Sequence, residues 1–455
     1  MGLKEIILNL PEVKGPIEKK LTFNEKLKWT LIILISYFVL AEIPAFGLAQ
    51  NSLLRFEYLA IILGTKFGSV ISLGIGPIVT ASIILQLLVG SGLLSIDITK
   101  PEGKRYFQGL QKILTVFLTF FEAGIFVVMK GLEAMPGLGW LLILQLFIGG
   151  ILIMYMDEVI SKWGFGSGIS LFIVAGVSLE LFTKAFGFLG QQGQFAAVGK
   201  VWVLFTSLME GNTTGALLAG AAIIFTIVIF LLAVYGQSMK VEIPLSFGKI
   251  RGFGMRWPLS FFYTSNIPVI LTAALLANVQ LFGKLVESWA GHATLLGGFS
   301  NGQAVSGLAM WVSSPAIVES LIGGGFRSIF IWQSLFYIFF MIAGSVLFAV
   351  FWVKTSNMDA SAQAKQIMAS GLQIPGFRRD ERILESILGR YIMPLTVMGG
   401  AAVGLLAASA DLLGALVRGT GLLLSVMIIY RLYQDIAQQH AMDMNPAVRK
   451  LMTGE

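Results

Sequence analysis

Ten long apolar runs, separated by clusters of charged residues, Gly and Pro, divide the sequence. A run of roughly 20 apolar residues is long enough to cross the hydrocarbon core of a bilayer, about 30 Å thick, as a helix. A helix also satisfies its own backbone hydrogen bonds, which lipid cannot do. The pattern therefore predicts an all-α polytopic membrane protein with ten transmembrane helices. The runs lie near Trp29–Phe46, Ile71–Val89, Tyr106–Met129, Trp140–Met156, Gly168–Phe186, Ala216–Tyr235, Leu259–Phe282, Ser328–Val353, Tyr391–Ala410 and Leu416–Tyr433.

The composition excludes most other classes of protein. Of the 455 residues, 56% are hydrophobic and only 13% are charged, whereas a soluble domain carries about 25% charged residues. The sequence contains no Cys, so disulfides, iron–sulfur clusters and thiolate catalysis are excluded. It has no His-Glu-x-x-His and no Gly-Lys-Ser/Thr motif, and its two histidines, His292 and His440, lie far apart in polar stretches. We therefore expect no catalytic residues, no metal site, no cofactor and no enzymatic activity.

The distribution of Lys and Arg predicts the orientation in the membrane. Cytoplasmic segments of membrane proteins carry an excess of these residues. We place the N-terminus inside and alternate the ten spans, and most of the 32 Lys and Arg residues then fall on inner segments. Those on outer segments and their flanks are Arg55, Lys66, Lys130, Lys184, Lys200, Lys284, Arg327 and Arg418. This asymmetry predicts a multi-pass protein of the cytoplasmic membrane with both termini in the cytoplasm.

Three segments do not fit a plain bundle of spans. Arg55–Thr65, on the outer side, is too short to cross the bilayer and too apolar for water. It is either a re-entrant segment enclosed by protein or an amphipathic helix at the interface. The long basic inner loops Gln237–Pro258 and Lys354–Gly389 are either lipid-facing anchors or docking sites for a soluble partner. Five spans followed by five would also permit an inverted repeat.

The clearest acidic residue deep within a span is Glu122. Such a carboxylate usually faces a bundle interior or an aqueous cavity and has a polar partner. Thr80 and Asn278 lie at a similar depth, so the three could meet in one layer, or each could bond its own helix backbone. Asp157 and Glu158 lie at an inner helix end, where we expect a solvated surface. These features leave a channel and an inverted-repeat secondary solute transporter open, although a transporter would be favoured by a second, paired acid within the spans.

Several long motifs carry a resemblance to a known family. They are LTFNEKLKWT (Leu21–Thr30), LGIGPIVTASIILQLLVGSG (Leu73–Gly92), MDEVISKWGFGSGISLFI (Met156–Ile173), VEIPLSFGKIRG (Val241–Gly252), YTSNIPVILTAALLANVQL (Tyr263–Leu281), GFRRDE (Gly376–Glu381) and RYIMPLTVMGG (Arg390–Gly400). In these motifs, and nearly from end to end, the chain resembles the archaeal branch of the SecY family of protein-conducting channels. Such channels translocate secretory polypeptides across the membrane and release transmembrane segments into lipid through a lateral gate.

The resemblance implies two pseudo-symmetric five-helix halves, hinged like a clamshell around a central hourglass pore. Residues 1–28 would form a cytoplasmic segment, 29–186 the first half, 187–215 an outer loop, 216–433 the second half and 434–455 a cytoplasmic tail. Residues 55–65 would be a short re-entrant plug helix. The ring that narrows the pore would consist of Ile75, Val79, Ile169, Ile173, Ile270 and Leu424.

The resemblance also implies further sites and partners. Thr80, Glu122 and Asn278 would form a polar cluster in the lateral gate, between the second, third and seventh spans. Lys249, Arg251, Arg378 and Arg379, in cytoplasmic loops 237–258 and 354–389, would contact the phosphates of ribosomal RNA. The expected partners are a clamp subunit resembling SecE, a small β subunit, the ribosome, signal sequences and nascent polypeptides.

Overall fold

The computed structural model describes residues 10–16, 21–48, 68–90, 92–96, 101–128, 132, 134–188, 198–247, 254–264, 267–300, 303–356, 358–369, 372–373 and 380–444. Within these ranges lie helices α1 (Phe23–Glu42), α2 (Gly76–Gly90), α3 (Pro101–Val128), α4 (Gly139–Trp163), α5 (Gly168–Phe186), α6 (Lys200–Met209), α7 (Thr213–Ser238), α8 (Ile267–Ala290), α9 (Gly307–Trp311), α10 (Ile317–Ile322), α11 (Ile329–Thr355), α12 (Ala360–Ala369), α13 (Glu381–Leu412) and α14 (Gly419–Met444). The strands are β1 (Lys240–Phe247), β2 (Gly254–Ser260), β3 (Gly298–Ser300), β4 (Gln303–Ser306) and β5 (Leu372–Gln373).

Each of the ten predicted spans coincides with a helix, namely α1, α2, α3, α4, α5, α7, α8, α11, α13 and α14. Among the described residues, six of these helices are long and apolar enough to cross a membrane by length and composition. They are α3, α4, α5, α7, α11 and α13. The chain is therefore a multi-pass α-helical membrane protein, as the sequence predicts.

Several boundaries differ from the sequence prediction, and local backbone chemistry explains three of them. α1 begins six residues earlier than predicted, where Thr22 accepts a hydrogen bond from the Glu25 N–H and Glu25 accepts one from the Thr22 N–H. It ends at Glu42, shortly before Pro44, because the residue before a proline avoids the helical conformation. The seventh predicted span begins too early, since Leu259 belongs to β2 and the helix starts only at Ile267.

The described residues form two compact units, one within residues 1–179 and 428–455 and the other within residues 180–427. The main core of the first unit is built from aliphatic and aromatic side chains of α1, α2, α4 and α5. In this core Tyr37 stacks on Phe172, with 4.6 Å between the ring centroids. The main core of the second unit is built largely from α7, α8, α11, α13 and α14. The division into two five-helix halves, with the boundaries given above, stays a prediction.

Small residues set the packing inside the first unit. A methyl group at Gly149 of α4 would overlap the carbonyl oxygen of Val70, and one at Gly150 would overlap the Cγ2 methyl of Thr119 on α3. Thr119 is fully buried and donates its hydroxyl hydrogen to the Thr115 carbonyl (2.7 Å). Glycine at both positions therefore permits the close approach that membrane helices use in place of a hydrophobic driving force.

Strands β2, β1 and β5 form one antiparallel sheet in that order, and β3 pairs with β4 in a separate hairpin. In the larger sheet, Lys240 of β1 lies opposite Ser260 of β2, and the register continues to Ser246 opposite Gly254. The other edge of β1 pairs with β5 through Phe247 and Leu372. The sheet covers a core formed by α11, α12 and α13.

Candidate functional site

A compact run of turns at residues 68–75 leads into α2 and ends with the first predicted pore residue, Ile75. Gly74 has a φ of 56°, a conformation that favours glycine because a Cβ atom would be strained there. The Val70 N–H donates to the carbonyl of Ile43, just after α1, over 3.0 Å. Val70 in this run therefore packs against Gly149 of α4 and is hydrogen-bonded to the segment after α1.

Four of the six predicted ring residues lie in the same core cluster of the first unit. Ile75 is almost fully buried, with 4% of its surface exposed. Val79, one turn further along α2, is half-buried and packs against the same cluster. Ile169 and Ile173, one turn apart on α5, do the same on either side of the buried Phe172. The fold thus brings these four aliphatic side chains together.

The other two predicted ring residues belong to the second unit. Ile270 in α8 is half-buried and follows the fully buried Val269. Leu424 in α14 is half-buried and follows the fully buried Leu423. That these two residues form one ring with the four ring residues of the first unit stays a prediction. All six side chains are aliphatic and offer no charge, hydrogen bond or metal ligand.

The predicted gate residues lie on three helices. Thr80 is exposed on α2 and Glu122 is half-buried on α3, two helices that pack against each other. Among the described residues, neither of these side chains makes a hydrogen bond within the chain. The side chain of Asn278, on α8, lies outside the described part. The polar cluster therefore stays a prediction.

The two basic loops that the sequence treats separately are joined by the sheet. β1 and β2 come from loop 237–258, and β5 comes from loop 354–389. Residues 248–253 connect β1 to β2, and residues 374–379 follow β5, so both segments lead off adjacent strands. Lys249, Arg251, Arg378 and Arg379 themselves lie outside the described residues, as does the predicted plug at residues 55–65.

Two polar contacts lie on or beside the sheet. Arg256 on β2 forms an ion pair with Glu242 on β1, with 2.8 Å between Nη1 and Oε2. The Tyr263 hydroxyl donates to the Met358 carbonyl over 2.7 Å. Burial and the nearby Asp359 carboxylate raise the pKa of Tyr263 to about 12, so this donor keeps its proton to a higher pH than an ordinary Tyr does.

Sequence reasoning missed this sheet. The available signal was the alternation of Val241, Ile243, Leu245 and Phe247 with polar residues or proline in β1, which is typical of a half-buried strand. The long apolar runs nearby and the prolines in both strands obscured it. Strand β5 has only two residues and carries no recognisable periodicity.

Comparisons with known proteins agree over nearly the whole chain. The sequence model of the SecY family matches residues 69–433. The protein translocase subunit SecY of Methanothermobacter thermautotrophicus is 48% identical over 449 residues, covering 97% of this chain and 96% of that protein. A solved structure described as "The structure of a protein conducting channel" is 40% identical, with a TM-score of 0.79 and coverage of 99% of this chain and 100% of that chain. Sec61 in the canine ribosome-channel complex from the endoplasmic reticulum is also 40% identical, with a TM-score of 0.77 and the same coverage.

Proposed function

Since the chain belongs to the SecY family, we propose that it is the pore-forming subunit of a protein-conducting channel in a membrane. The observation that carries this function is the agreement in both sequence and fold with translocase channels over nearly the entire chain. A secondary solute transporter is not favoured, because the related proteins are channel subunits. The channel passes secretory polypeptides across the membrane and releases transmembrane segments into lipid through a lateral gate.

The proposed seal is the aliphatic ring of Ile75, Val79, Ile169, Ile173, Ile270 and Leu424. A narrow ring of aliphatic side chains resists wetting and binds no ion, so it impedes small solutes at rest. It also makes no sequence-specific bond to a translocating chain. The clustering of the four first-unit residues around one core supports this role, and residues 55–65 would seat against the ring from the outer side as a plug.

Thr80, Glu122 and Asn278 would set how apolar a segment must be to open the lateral gate. Buried polar groups oppose opening only if their bonds are lost. An entering signal sequence or transmembrane helix must offset that loss with its own apolar surface. The gate would therefore discriminate segments by hydrophobicity instead of by sequence.

The ribosome would dock on the cytoplasmic sheet surface, with Lys249, Arg251, Arg378 and Arg379 contacting RNA phosphates. What supports this proposal is that strands β1 and β5 join the two loops that carry these residues. Sec61, the relative in the canine complex, is bound to a ribosome. We also propose both termini in the cytoplasm, a clamp subunit resembling SecE and a small β subunit.

Ion leak through the resting channel tests the proposed ring. The double variant Ile75→Gly with Val79→Gly removes two seal side chains, and we expect anions to leave proteoliposomes much faster than with the unmodified channel. Ile84→Gly with Leu88→Gly places two glycines at the same spacing further along α2, on side chains that are exposed or half-exposed, and should not leak. Equal efflux from both double variants, or none from either, would count against the ring.

Membrane integration tests the gate cluster. Asn278→Leu should shift the threshold at which a graded series of Leu/Ala segments enters the bilayer. Gln280→Leu, another amide-to-leucine change in α8, is the matched control and should leave the threshold in place. If the threshold is the same in both variants and in the unmodified chain, the cluster does not set it.

A further inference from the structure

Two aspartates hold the starts of two helices in the same way. Asp157 lies near the end of α4, and its Oδ1 accepts a hydrogen bond from the Ile169 N–H in the first turn of α5 (2.9 Å). Asp411 lies near the end of α13, and its Oδ1 accepts one from the Gly419 N–H at the start of α14 (2.8 Å). Backbone N–H groups in the first turn of a helix have no partner within the helix. In each case the preceding helix supplies that partner.

A glycine at the start of each held helix completes the contact. A Cβ atom on Gly168 would lie 2.5 Å from the Cα of Asp157, closer than real Cβ atoms approach. A Cβ atom on Gly419 would lie 2.8 Å from the Cα of Ala407 in α13. Each helix start therefore presses directly on the preceding helix, and the carboxylate and the glycine act at the same place.

Each of these two helix pairs, α4 with α5 and α13 with α14, also contacts a third helix. Glu158, next to Asp157, forms an ion pair with Lys112 on α3, with 2.9 Å between Oε2 and Nζ. The Oδ2 of Asp411 accepts a hydrogen bond from the Tyr337 hydroxyl on α11 (2.7 Å). In chain order, α3, α4 and α5 are the third, fourth and fifth predicted spans, and α11, α13 and α14 are the eighth, ninth and tenth. The same arrangement thus recurs at corresponding positions, as an internal repeat would produce.

We infer that Asp157 and Asp411 are positioning residues that keep the pore ring closed at rest, each by fixing the start of a helix that carries ring residues. α5 carries Ile169 and Ile173, and the N–H held by Asp157 is that of Ile169 itself. α14 carries Leu424, about 7.5 Å along the helix from Gly419 at 1.5 Å per residue. This inference rests on the proposed function, because the ring is where the two contacts take effect.

The strength of the hydrogen bonds to Asp157 and Asp411 explains why their loss would make the ring leak. A hydrogen bond to a carboxylate is stronger than one between neutral groups. Without the carboxylate, the first turn of α5 or α14 loses its acceptor, and the helix start is free to slide along the preceding helix. Sliding moves a ring side chain out of its plane. We expect a rise of roughly ten-fold in resting leak, equivalent to about 1.4 kcal/mol in favour of the open ring.

The test compares side chains of graded ability to accept these hydrogen bonds. Asp157→Leu and Asp411→Leu remove the acceptor, and each should raise anion efflux from proteoliposomes that contain the complete purified channel. Asp157→Asn and Asp411→Asn keep one acceptor oxygen but lose the charge, and Asp411→Asn also loses one of the two oxygens that Gly419 and Tyr337 use. Their efflux should therefore fall between the native level and that of the Leu variants. Hydrogen–deuterium exchange should quicken in the first turn of α5 or α14 only in the Leu variants. If a Leu variant does not accumulate, the smaller Ala, which also offers no acceptor, replaces it.

A capping aspartate elsewhere is the matched control. The Oδ1 of Asp380 accepts from the Arg382 N–H (2.9 Å) at the start of α13, which carries no predicted ring residue. Asp380→Leu should loosen its own helix start without raising efflux.

The outcomes separate this inference from the proposed ring. If the Ile75→Gly, Val79→Gly channel leaks and the Leu variants of Asp157 and Asp411 do not, the positioning role is refuted while the ring stands. If the Asn variants leak as much as the Leu variants, hydrogen-bond positioning is likewise refuted. If the ring variant itself does not leak, the ring assignment fails and this inference falls with it.

Discussion

Two adjacent glycines in α4 allow a sharp test of how the first unit is packed. Gly149 faces backbone, since a methyl group there would overlap the Val70 carbonyl and lie 2.8 Å from its carbon atom. Gly150 faces a side chain, since a methyl group there would overlap only Cγ2 of Thr119 and would lie 3.6 Å from Cβ and Oγ1, an ordinary contact. Both alanine variants are therefore expected to destabilise the protein, but for reasons that differ in a testable way.

The size of the effect follows from these contacts. Overpacking a tight interior costs about 1–3 kcal/mol. Replacing Gly by Ala in a helix also returns about 0.8–1 kcal/mol of helix propensity. Gly124→Ala in α3 measures that gain by itself, because a methyl group there meets nothing within 4 Å. Relative to Gly124→Ala, we expect Gly149→Ala and Gly150→Ala each to lower the free energy of unfolding by about 1–3 kcal/mol.

Second-site changes separate the two cases. Thr119→Ser removes the methyl group that Gly150→Ala would strike and keeps the hydroxyl that bonds Thr115. We therefore expect it to recover about 1 kcal/mol or more in a double-mutant cycle with Gly150→Ala. Val70→Ala leaves the backbone carbonyl in place and should not rescue Gly149→Ala.

The assay is unfolding of the purified protein in mixed micelles by titration with SDS, followed by tryptophan fluorescence. Each cycle needs the two single variants, the double variant and the unmodified chain under one set of conditions. Rescue of both alanines, or of neither, would refute the distinction between a backbone and a side-chain contact. Because Val70 belongs to the turns that precede Ile75, Gly149→Ala should also raise the resting leak.

Three further perturbations probe single contacts. Thr226→Val removes the acceptor for the buried Leu416 N–H (2.8 Å) and should lower the free energy of unfolding by about 1–3 kcal/mol; Thr226→Ser should not, and equal losses would contradict this. Lys162→Met should speed proteolysis within residues 10–16, because Lys162 donates to the Val13 carbonyl (2.6 Å) and pairs with Glu12 (3.1 Å), whereas Met donates no hydrogen bond. An unchanged cleavage rate would show that Lys162 does not hold the segment. Because the pKa of Tyr263 rises from 10.0 to about 12 on folding, its contribution is complete below pH 10 and is lost as the pH rises from 10 to about 12. Tyr263→Phe should therefore flatten the pH dependence of stability in that window, and an identical pH profile would refute this.

Much of the fold can be predicted from short contiguous stretches of the sequence. Hydropathy and length are properties of contiguous residues, so the ten apolar runs predict ten helices, and each coincides with one. The predicted boundaries failed where a few residues decide the outcome. The capping pair Thr22 and Glu25 starts α1 early, and strand β2 takes the first residues of the seventh predicted span.

The candidate ring and loop residues could also be identified from sequence motifs, because aliphatic ring positions and basic loop residues are recognisable in a continuous stretch. Nothing local distinguishes Ile75, which is buried, from Val79, which is half-buried one turn later. Nothing local joins the two basic loops either. They meet because Ser246 and Phe247 find hydrogen-bonding partners more than 120 residues further along the chain.

The sequence by itself determined that this chain spans a membrane, approximately where the ten helices of its apolar runs lie and which family it resembles. The sequence also led us to expect that Asp157, at an inner helix end, faces solvent. Asp157 is instead half-buried, and its carboxylate accepts the N–H of Ile169. Only tertiary structure decided this and the matching role of Asp411. The reason is physical: burial in lipid depends on the hydropathy of neighbouring residues, whereas a carboxylate's partner depends on which backbone group the fold brings within 3 Å.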